Sequence, residues 1–99
     1  MAKGGNVYIM CSINNQTLYT GVTSDLVTRV QQHKSKENPT SFTAKYHCVK
    51  LVYYQFYETI EAAIEEEKRI KAGNRKQKEA LINRMNPEWN DLWEEIKHW

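Results

Sequence analysis

The segment from residue 7 to residue 22 limits the possible folds most, because it contains two strand-like runs on either side of a turn. The runs "VYIMC" and "TLYTGV" are rich in β-branched and aromatic residues, and "SINNQ" lies between them. Asparagine tolerates the positive φ angles of a tight turn. We therefore predict an antiparallel hairpin with Asn14 and Asn15 as its two loop residues.

The register of this hairpin decides where its two tyrosines point. A two-residue loop places Met10 opposite Tyr19 and Tyr8 opposite Gly21. The two tyrosines then lie on one face as diagonal neighbours, with Cα atoms roughly 7–8 Å apart, close enough to share a small ligand. A three-residue loop would instead place them on opposite faces of the sheet.

The run "TSDLVTRVQQHK" predicts an amphipathic helix after the hairpin. Thr23 or Ser24 can cap its first turn, and the negative charge of Asp25 favours that end of a helix. Arg29 and His33 are one turn apart beside the apolar stripe. Both side chains can therefore reach one groove.

Residues 35–50 show no clear period, so we predict a basic, partly irregular connection there. The following run "LVYYQFY" (51–57) is apolar or aromatic on both faces. That pattern is typical of a strand covered on both sides. We expect this strand in the middle of a sheet of at least three strands.

The sequence after Thr59 predicts a helix whose apolar stripe contains a carboxylate. Glu67 falls about 20° from Ile60 on a helical wheel, in the middle of the face that also carries Ala63. A carboxylate buried without a partner is costly, so Glu67 should be paired, protonated or bound to a cation. An ion pair with Lys71, one turn later, is the simplest alternative.

Two further helices are predicted beyond Gly73, which ends the helix before it. Asn74 and Gln77 form a capping box for the first of them. The second is predicted over 87–98, because apolar residues recur there at helical spacing. These residues are Trp89, Leu92, Trp93 and Ile96.

Composition narrows the class of protein. The 99 residues suit one small domain, and a net charge of only +2 does not by itself indicate a nucleic-acid binder. The basic residues are instead concentrated in "KRIKAGNRKQK". Two distant cysteines, with no secretory leader and no apolar run of membrane length, predict reduced thiols in a soluble cytoplasmic protein.

Taken together, these motifs resemble the GIY-YIG nuclease domain superfamily, and most of all its small stand-alone bacterial members of the UPF0213 type. The resemblance rests on "VYI", "YTG", "RVQQH" and "AAIEEEKRIK", in that order. Asn6-Val7 stands where the first signature has Gly-Ile, and Thr20 stands where the second has Ile. We expect these departures to affect packing more than chemistry.

The resemblance implies an α/β (α+β) fold, with a small three-stranded antiparallel-type sheet flanked by helices. It implies a single domain over residues 1–99. The core of that domain would span about 6–85, with the helix 87–98 packed on it.

For activity, the resemblance implies a metal-dependent endonuclease that hydrolyses DNA phosphodiester bonds, with DNA repair or recombination as its setting and branched or damaged DNA among its substrates. Glu67 would hold one divalent ion, Mg²⁺ or Mn²⁺. Arg29 would bind the scissile phosphate. Tyr8 is expected to take a proton from water with the help of His33, and Tyr19 to hydrogen-bond the phosphate or the water.

The proposed base has an electrostatic difficulty. A tyrosine of pKa about 10 is ionised in only about one part in a thousand at neutral pH. The charges of Arg29 and the metal ion would have to lower the pKa of Tyr8, or His33 would have to accept its proton. Gly21, opposite Tyr8, would leave room for the phosphate.

DNA backbone contacts are expected from the basic run and from the loop before it, with an affinity that falls as salt rises. Asn83 is a candidate for the asparagine that the family uses after its glutamate, with Asn74 and Asn86 as alternatives. The predicted substrate contacts are Gly21, Lys71, Arg75, Lys78 and Asn83, supported by Lys34, Lys36 and Lys45.

Each of these residues also has a structural interpretation. Strand tyrosines are mostly packing residues, and a basic helix end is often only solvated. A catalytically weak nucleic-acid-binding module with the same fold is therefore the alternative function. A protein-interaction module that uses Trp89, Trp93 and Trp99 is a third. We expect a monomer or a weak dimer.

Overall fold

A three-stranded antiparallel sheet organises the computed structural model, which describes residues 4–99. Its strands are β1 (Gly5–Ser12), β2 (Leu18–Thr23) and β3 (Cys48–Tyr57), in the order β2-β1-β3. The helices are α1 (Leu26–Ser35), α2 (Phe42–Lys45), α3 (Ile60–Ala72), α4 (Arg75–Met85) and α5 (Trp93–Ile96). The predicted α+β architecture is confirmed.

The hairpin of β1 and β2 has the predicted register. Tyr8 pairs with Gly21 and Met10 pairs with Tyr19. Because side chains alternate along a strand, both tyrosines lie on the same face of the sheet. This face packs against α1.

The turn itself differs in detail from the prediction. Asn15 donates its backbone N–H to the carbonyl of Ser12 at 2.9 Å, and only Asn15 of the two asparagines has a positive φ, 63°. Asn14 instead uses its side-chain oxygen, which accepts from the Ser12 hydroxyl at 2.6 Å. The register is preserved because Ser12 and Thr17 still pair across the loop, through Ser12 N–H and Thr17 C=O at 3.0 Å.

The central strand is β1, so the prediction that residues 51–57 form the middle strand is wrong. Val7, Ile9 and Met10 of β1 are fully buried, whereas Phe56 of β3 is 56% exposed. The N-terminal half of β3 is nevertheless covered on both faces. An edge strand that is covered in this way has the same apolar pattern as a central one.

The core consists of separate clusters on the two faces of the sheet. On the tyrosine face, α1 and α5 pack against Tyr8 and Met10. On the other face, α4 packs against Ile9 and α3 packs against Val7. The main helical contributors are Leu26, Val30, Ile96, Ile82, Ala63 and Ile70.

Helix α1 begins one or two residues later than predicted. Asp25 is its N-cap and accepts a hydrogen bond from the Thr28 backbone N–H at 3.2 Å. Thr23 does not cap the helix, because its hydroxyl accepts from the Asp25 N–H at 3.0 Å. The cap therefore passes to the acidic residue that was expected only to favour the first turn.

The predicted ends of α3 and α4 are confirmed. Thr59 caps α3 by accepting from the Ala62 N–H, and Gly73 follows its last residue. Asn74 and Gln77 form the complete capping box of α4. The connection 35–50 is less irregular than predicted, because it contains α2.

The predicted helix over 87–98 is wrong, since only Trp93–Ile96 is helical. Trp89 has a φ of 56°, which interrupts any helix there. The segment instead follows the edge of β3, where Leu92 N–H donates to the Leu51 carbonyl at 2.7 Å. Asp91 completes this docking by accepting from the Leu51 N–H at 3.1 Å.

Two other expectations concern the cysteine thiols and membrane-spanning helices. Cys11 and Cys48 are both buried and free. None of the helices within residues 4–99 combines enough length with enough apolar character to span a membrane.

Candidate active site

Three rings from different elements meet at the hairpin. The centroids of Tyr8 and Tyr19 are 6.4 Å apart, and His33 of α1 lies 5.6 Å from the first and 5.5 Å from the second. The Tyr8 hydroxyl and His33 Nε2 are hydrogen-bonded at 2.8 Å. The structure thus brings together three of the residues that the sequence singled out.

Gly21 is needed for this arrangement. A Cβ built at Gly21 would lie 2.5 Å from both Cζ and the hydroxyl oxygen of Tyr8. The space beside Gly21 is therefore filled by the ring of Tyr8. This space is therefore closed to a phosphate, whereas the sequence had led us to expect room for one there.

His33 has a second partner that sequence reasoning missed. Its Nδ1 lies 2.8 Å from the hydroxyl of Thr43, which is only 3% exposed. Thr43 reaches this position because Ser41 caps α2, and nothing local in the sequence pairs it with His33. The two ring nitrogens of His33 are thus both engaged.

Burial determines the protonation of this network. It lowers the pKa of His33 to about 4, helped by the positive charge of Arg29. The imidazole is therefore neutral at pH 7, with one N–H donor and one acceptor nitrogen. Burial also raises the pKa of Tyr8 above its ordinary value. Tyr19 raises this pKa further, the positive charge of Arg29 lowers it, and the negative charge of Glu67 raises it.

The direction of the Tyr8 shift corrects the sequence-based expectation. Arg29 does lower the pKa of Tyr8, but desolvation of the ring outweighs that charge. Tyr8 is therefore a neutral phenol in the protein. Its hydroxyl can donate to a neutral His33 while its oxygen still accepts a second hydrogen bond.

Arg29 is available to an anion. Its side chain is exposed and forms no ion pair within residues 4–99. It lines a cavity of about 320 Å³ together with Tyr19 and His33. A phosphate bound there would lie beside the ring cluster.

Glu67 occupies the apolar side of α3, as predicted, and its side chain is 13% exposed. It forms an ion pair with Lys71 at 2.8 Å, which is the alternative that the sequence left open. The carboxylate is close enough to Tyr8 to contribute to its raised pKa. Lys71 in turn lies over the ring of Tyr19, with Nζ 5.9 Å from its centroid.

The donor set limits the kind of metal site that Glu67 can form. The described part of the chain has no group of three or more His, Cys, Asp or Glu side chains that could hold a metal ion. Mg²⁺, however, often binds through one or two carboxylates, several waters and substrate phosphates. Glu67 thus fits a hydrated ion shared with a phosphate, and not an ion enclosed by protein.

Two of the predicted substrate contacts lie near the rings. Lys71 and Lys78 line a second cavity of about 310 Å³ together with Tyr19. The Lys78 ammonium donates to the Gly73 carbonyl at 2.7 Å, which holds it at the end of α3. This side of the cluster is therefore cationic.

The other two predicted contacts are used elsewhere. The Arg75 guanidinium donates to the backbone carbonyls of Asn15 and Gln16, so it clamps the hairpin turn. The Asn83 side-chain oxygen accepts from Trp89 Nε1 at 2.7 Å. Asn83 is exposed on α4.

The three lysines that were expected to support DNA binding are also engaged, and Lys34 lies in the last turn of α1 and not in the connecting segment. Lys34 forms an ion pair with Asp91, and Lys36 Nζ lies 2.6 Å from His47 Nδ1. Lys45 lies over the ring of Tyr46, with Nζ 5.6 Å from the centroid.

Comparison with known proteins identifies the family of this chain. The model of the GIY-YIG catalytic domain family matches residues 4–80. A UPF0213 protein of Syntrophus aciditrophicus is 36% identical over 83 residues, covering 83% of this chain and 92% of the relative. One from Bacillus pumilus is 29% identical over 97 residues, covering 98% of each chain.

A solved structure supports the same grouping. The solution NMR structure of a UPF0213 protein from Bacillus halodurans matches with a TM-score of 0.56 at 25% identity, over 89% of this chain and 92% of that one. The GIY-YIG family implies nuclease activity in general, whereas the UPF0213 names state no activity. The resemblance found in the sequence is confirmed, and this chain belongs to the GIY-YIG catalytic domain family as a small protein of the UPF0213 type.

Proposed function

We propose that this protein is a divalent-metal-dependent endonuclease that hydrolyses DNA phosphodiester bonds. The observation that carries the proposal is the hydrogen bond between Tyr8 and His33. It is flanked by Glu67 and by Arg29, which has no ion-pair partner among residues 4–99. Hydrolysis of a phosphodiester needs a proton acceptor for water, a cation for the phosphate and help for the leaving 3′ oxygen. These side chains supply each requirement around one end of the hairpin.

The proton path uses Tyr8 as a relay. The Tyr8 oxygen accepts a proton from the attacking water while its own proton passes to Nε2 of the neutral His33. In the tautomer that this path requires, Nδ1–H of His33 donates to the Thr43 hydroxyl, and Nε2 is the acceptor. A free phenolate is never required, so the raised pKa of Tyr8 is compatible with this role.

Positioning of the phosphate falls to exposed groups around the rings. Arg29 donates to a non-bridging oxygen of the scissile phosphate, and the Tyr19 hydroxyl donates to the same group.

Glu67 would hold the metal ion, Mg²⁺ or Mn²⁺. When bound, this ion neutralises negative charge on the phosphate and on the leaving oxygen. Lys71 pairs with the same carboxylate, so its ammonium would be available to the DNA backbone if Glu67 held the metal ion.

DNA is the proposed partner, and Lys71 and Lys78 are its proposed backbone contacts. Arg75 and Asn83 drop out of the set because other groups occupy them. The two free cysteines fit the reducing cytoplasm. We place the activity in DNA repair or recombination, carried out by a monomer or weak dimer.

One observation favours a catalytically weak DNA-binding module as the second candidate. Glu67 is neutralised by Lys71, and an ammonium ion in this place competes with a metal ion. If the ion pair prevails, the cations and rings still bind DNA but no bond is broken.

The test incubates the wild type and Glu67→Ala with labelled single-stranded, duplex, flapped and branched DNA, in Mg²⁺, in Mn²⁺ and with chelator. We expect metal-dependent cleavage by the wild type alone. If neither protein cuts while both bind with salt-sensitive affinity, the endonuclease proposal is lost and the binding module replaces it.

A further inference from the structure

Phe42 forms a ridge between the two cavities of the site. Its ring lies 6.0 Å from that of Tyr19, and both residues line both cavities. Phe42 is 46% exposed, and on its other side it stacks against Tyr46 at 4.7 Å. Exposed aromatic rings that adjoin a cationic surface are the usual platform for stacked bases.

The two sides of this ridge differ in chemistry. Lys71 and Lys78 lie on one side, which suits the phosphate backbone. The amides of Gln32 and Asn38 lie on the other, with Glu37 and Arg29 nearby.

The amides on the second side have unused hydrogen-bonding groups. The Asn38 side-chain oxygen accepts from the Thr40 hydroxyl at 3.0 Å, which leaves its NH₂ group unengaged. Within the described chain, the Gln32 side chain makes no hydrogen bond at all. Asparagine and glutamine amides pair naturally with the edges of nucleic-acid bases.

From these features we infer that the cavity beside Arg29 binds one unpaired DNA base, stacked on Phe42 and hydrogen-bonded by Gln32 and Asn38. The inference rests on the proposed function, because it assumes that Arg29 holds the neighbouring phosphate. A base inside a duplex has its pairing edge and both faces occupied, so only an unpaired or extruded base can enter. The cavity of about 320 Å³ has room for such a base.

The inference predicts a preference for DNA that carries an unpaired nucleotide, such as a bulge or a flap junction. Removing the Phe42 ring should lower the affinity for bulged DNA by about tenfold, in line with typical stacking contributions. Affinity for a fully matched duplex should stay within about twofold, since its contacts go to Arg29 and the lysines.

The experiment measures binding of DNA containing 2-aminopurine, either as a single bulged base or in a matched duplex. Glu67→Ala serves as the background, so that no cleavage intervenes. Phe42→Ala is compared with Phe42→Tyr, which keeps a stacking ring, and with Phe56→Ala, an equally exposed aromatic on β3. Thermal melts of the variants check that each is folded.

We expect the bulged probe to change its fluorescence on binding, and Phe42→Ala alone to lose this change together with affinity. The inference would be overturned if the protein bound bulged and matched DNA with equal affinity. It would also be overturned if Phe42→Ala lowered the affinity for both DNAs by the same factor. Either outcome is independent of cleavage by the wild type. The binding result can therefore be interpreted even if the wild type does not cleave DNA. Conversely, cleavage by the wild type does not depend on whether the cavity binds a base.

Discussion

The Tyr8 hydroxyl and His33 Nε2 are 2.8 Å apart and form a hydrogen bond in largely apolar surroundings. The bond joins the central strand to α1, so it ties the hairpin to the helix that carries Arg29. Because burial keeps the imidazole neutral, Nε2 can accept from the phenol in one of the two ring tautomers. One contact therefore contributes both to folding and to the proposed chemistry.

Stability should fall on acidification because of His33. Its pKa is about 4 in the folded protein, against about 6.5 when unfolded. Between these values the unfolded state binds a proton that the folded state does not, so the free energy of unfolding decreases as pH falls from 6.5 to 4. Above pH 6.5 this contribution is fully present.

Urea unfolding at several pH values in this window measures the effect. His33→Gln should flatten the dependence on pH, whereas His98→Gln, at an exposed position, should leave it unchanged. Equal pH dependence in the wild type and His33→Gln would contradict a neutral, buried His33.

Gly21→Ala should displace the Tyr8 ring, because the new methyl group would lie 2.5 Å from it. Overpacking of this kind costs about 1–3 kcal/mol. Cleavage should be lost with it, since the ring can no longer bond His33. Gly73→Ala is the matched control, because its methyl group would meet Gln77 Oε1 of the α4 capping box and no ring of the site.

Chemical denaturation and a cleavage assay distinguish the two glycine variants. We expect Gly21→Ala to lose both stability and cleavage, and Gly73→Ala to retain cleavage. If the Gly21→Ala protein cut DNA at the wild-type rate, activity would not depend on the position of the Tyr8 ring.

Thr43 should act as a positioning residue for His33. Thr43→Val removes the hydroxyl that meets Nδ1 while keeping the shape of the side chain. Loss of a buried hydrogen bond worth roughly 1–3 kcal/mol should slow the bond-breaking step by about tenfold or more. Thr43→Ser keeps a hydroxyl and should retain the rate.

Single-turnover rates and nitrogen NMR of the histidine ring check the Thr43 prediction together. Thr43→Val should change the ring tautomer and the rate but not the affinity for DNA. A rate loss that comes only from weaker DNA binding would argue against positioning.

Arg29 and Arg75 should behave differently although both were expected to meet DNA. Arg29→Ala should reduce the slope of log affinity against log salt by about 1, because one phosphate contact is lost. Arg75→Ala should leave that slope unchanged. It should instead lower stability by about 1–3 kcal/mol, since its bonds to Asn15 and Gln16 hold the turn.

Salt titrations of DNA binding and urea unfolding of both variants separate the two roles. Lys76→Ala, on the exposed surface beside Arg75, controls for loss of charge alone. A reduced salt slope in Arg75→Ala would return Arg75 to the set of DNA contacts.

The sequence predicted the hairpin well because register follows from two local facts, the length of the turn and the alternation of side chains. That is why Tyr8 and Tyr19 were correctly placed on one face and Gly21 opposite Tyr8. The capping box of Asn74 and Gln77 was equally local. Residues whose structure is set within a few positions are the ones that sequence patterns describe.

What the sequence could not supply depends on tertiary contacts. The apolar spacing around Trp93 fits a long helix, but bonds between Leu92 and Leu51 hold the segment along β3. Thr43 reaches His33 only after α2 forms and folds back. The raised pKa of Tyr8 comes from burial, which competes with a charge effect that was easier to foresee.

The most direct test of the account compares Glu67→Gln with Glu66→Gln in single-turnover cleavage of labelled DNA with Mg²⁺. The two carboxylates are adjacent on α3, but Glu66 pairs with Arg69 whereas Glu67 pairs with Lys71, whose ammonium lies over the ring of Tyr19. We predict wild-type rates for Glu66→Gln and a rate at least about 100-fold lower for Glu67→Gln, because only Glu67 would hold the metal ion. Equal rates for the two variants, or no metal-dependent cleavage by the wild type, would contradict the account.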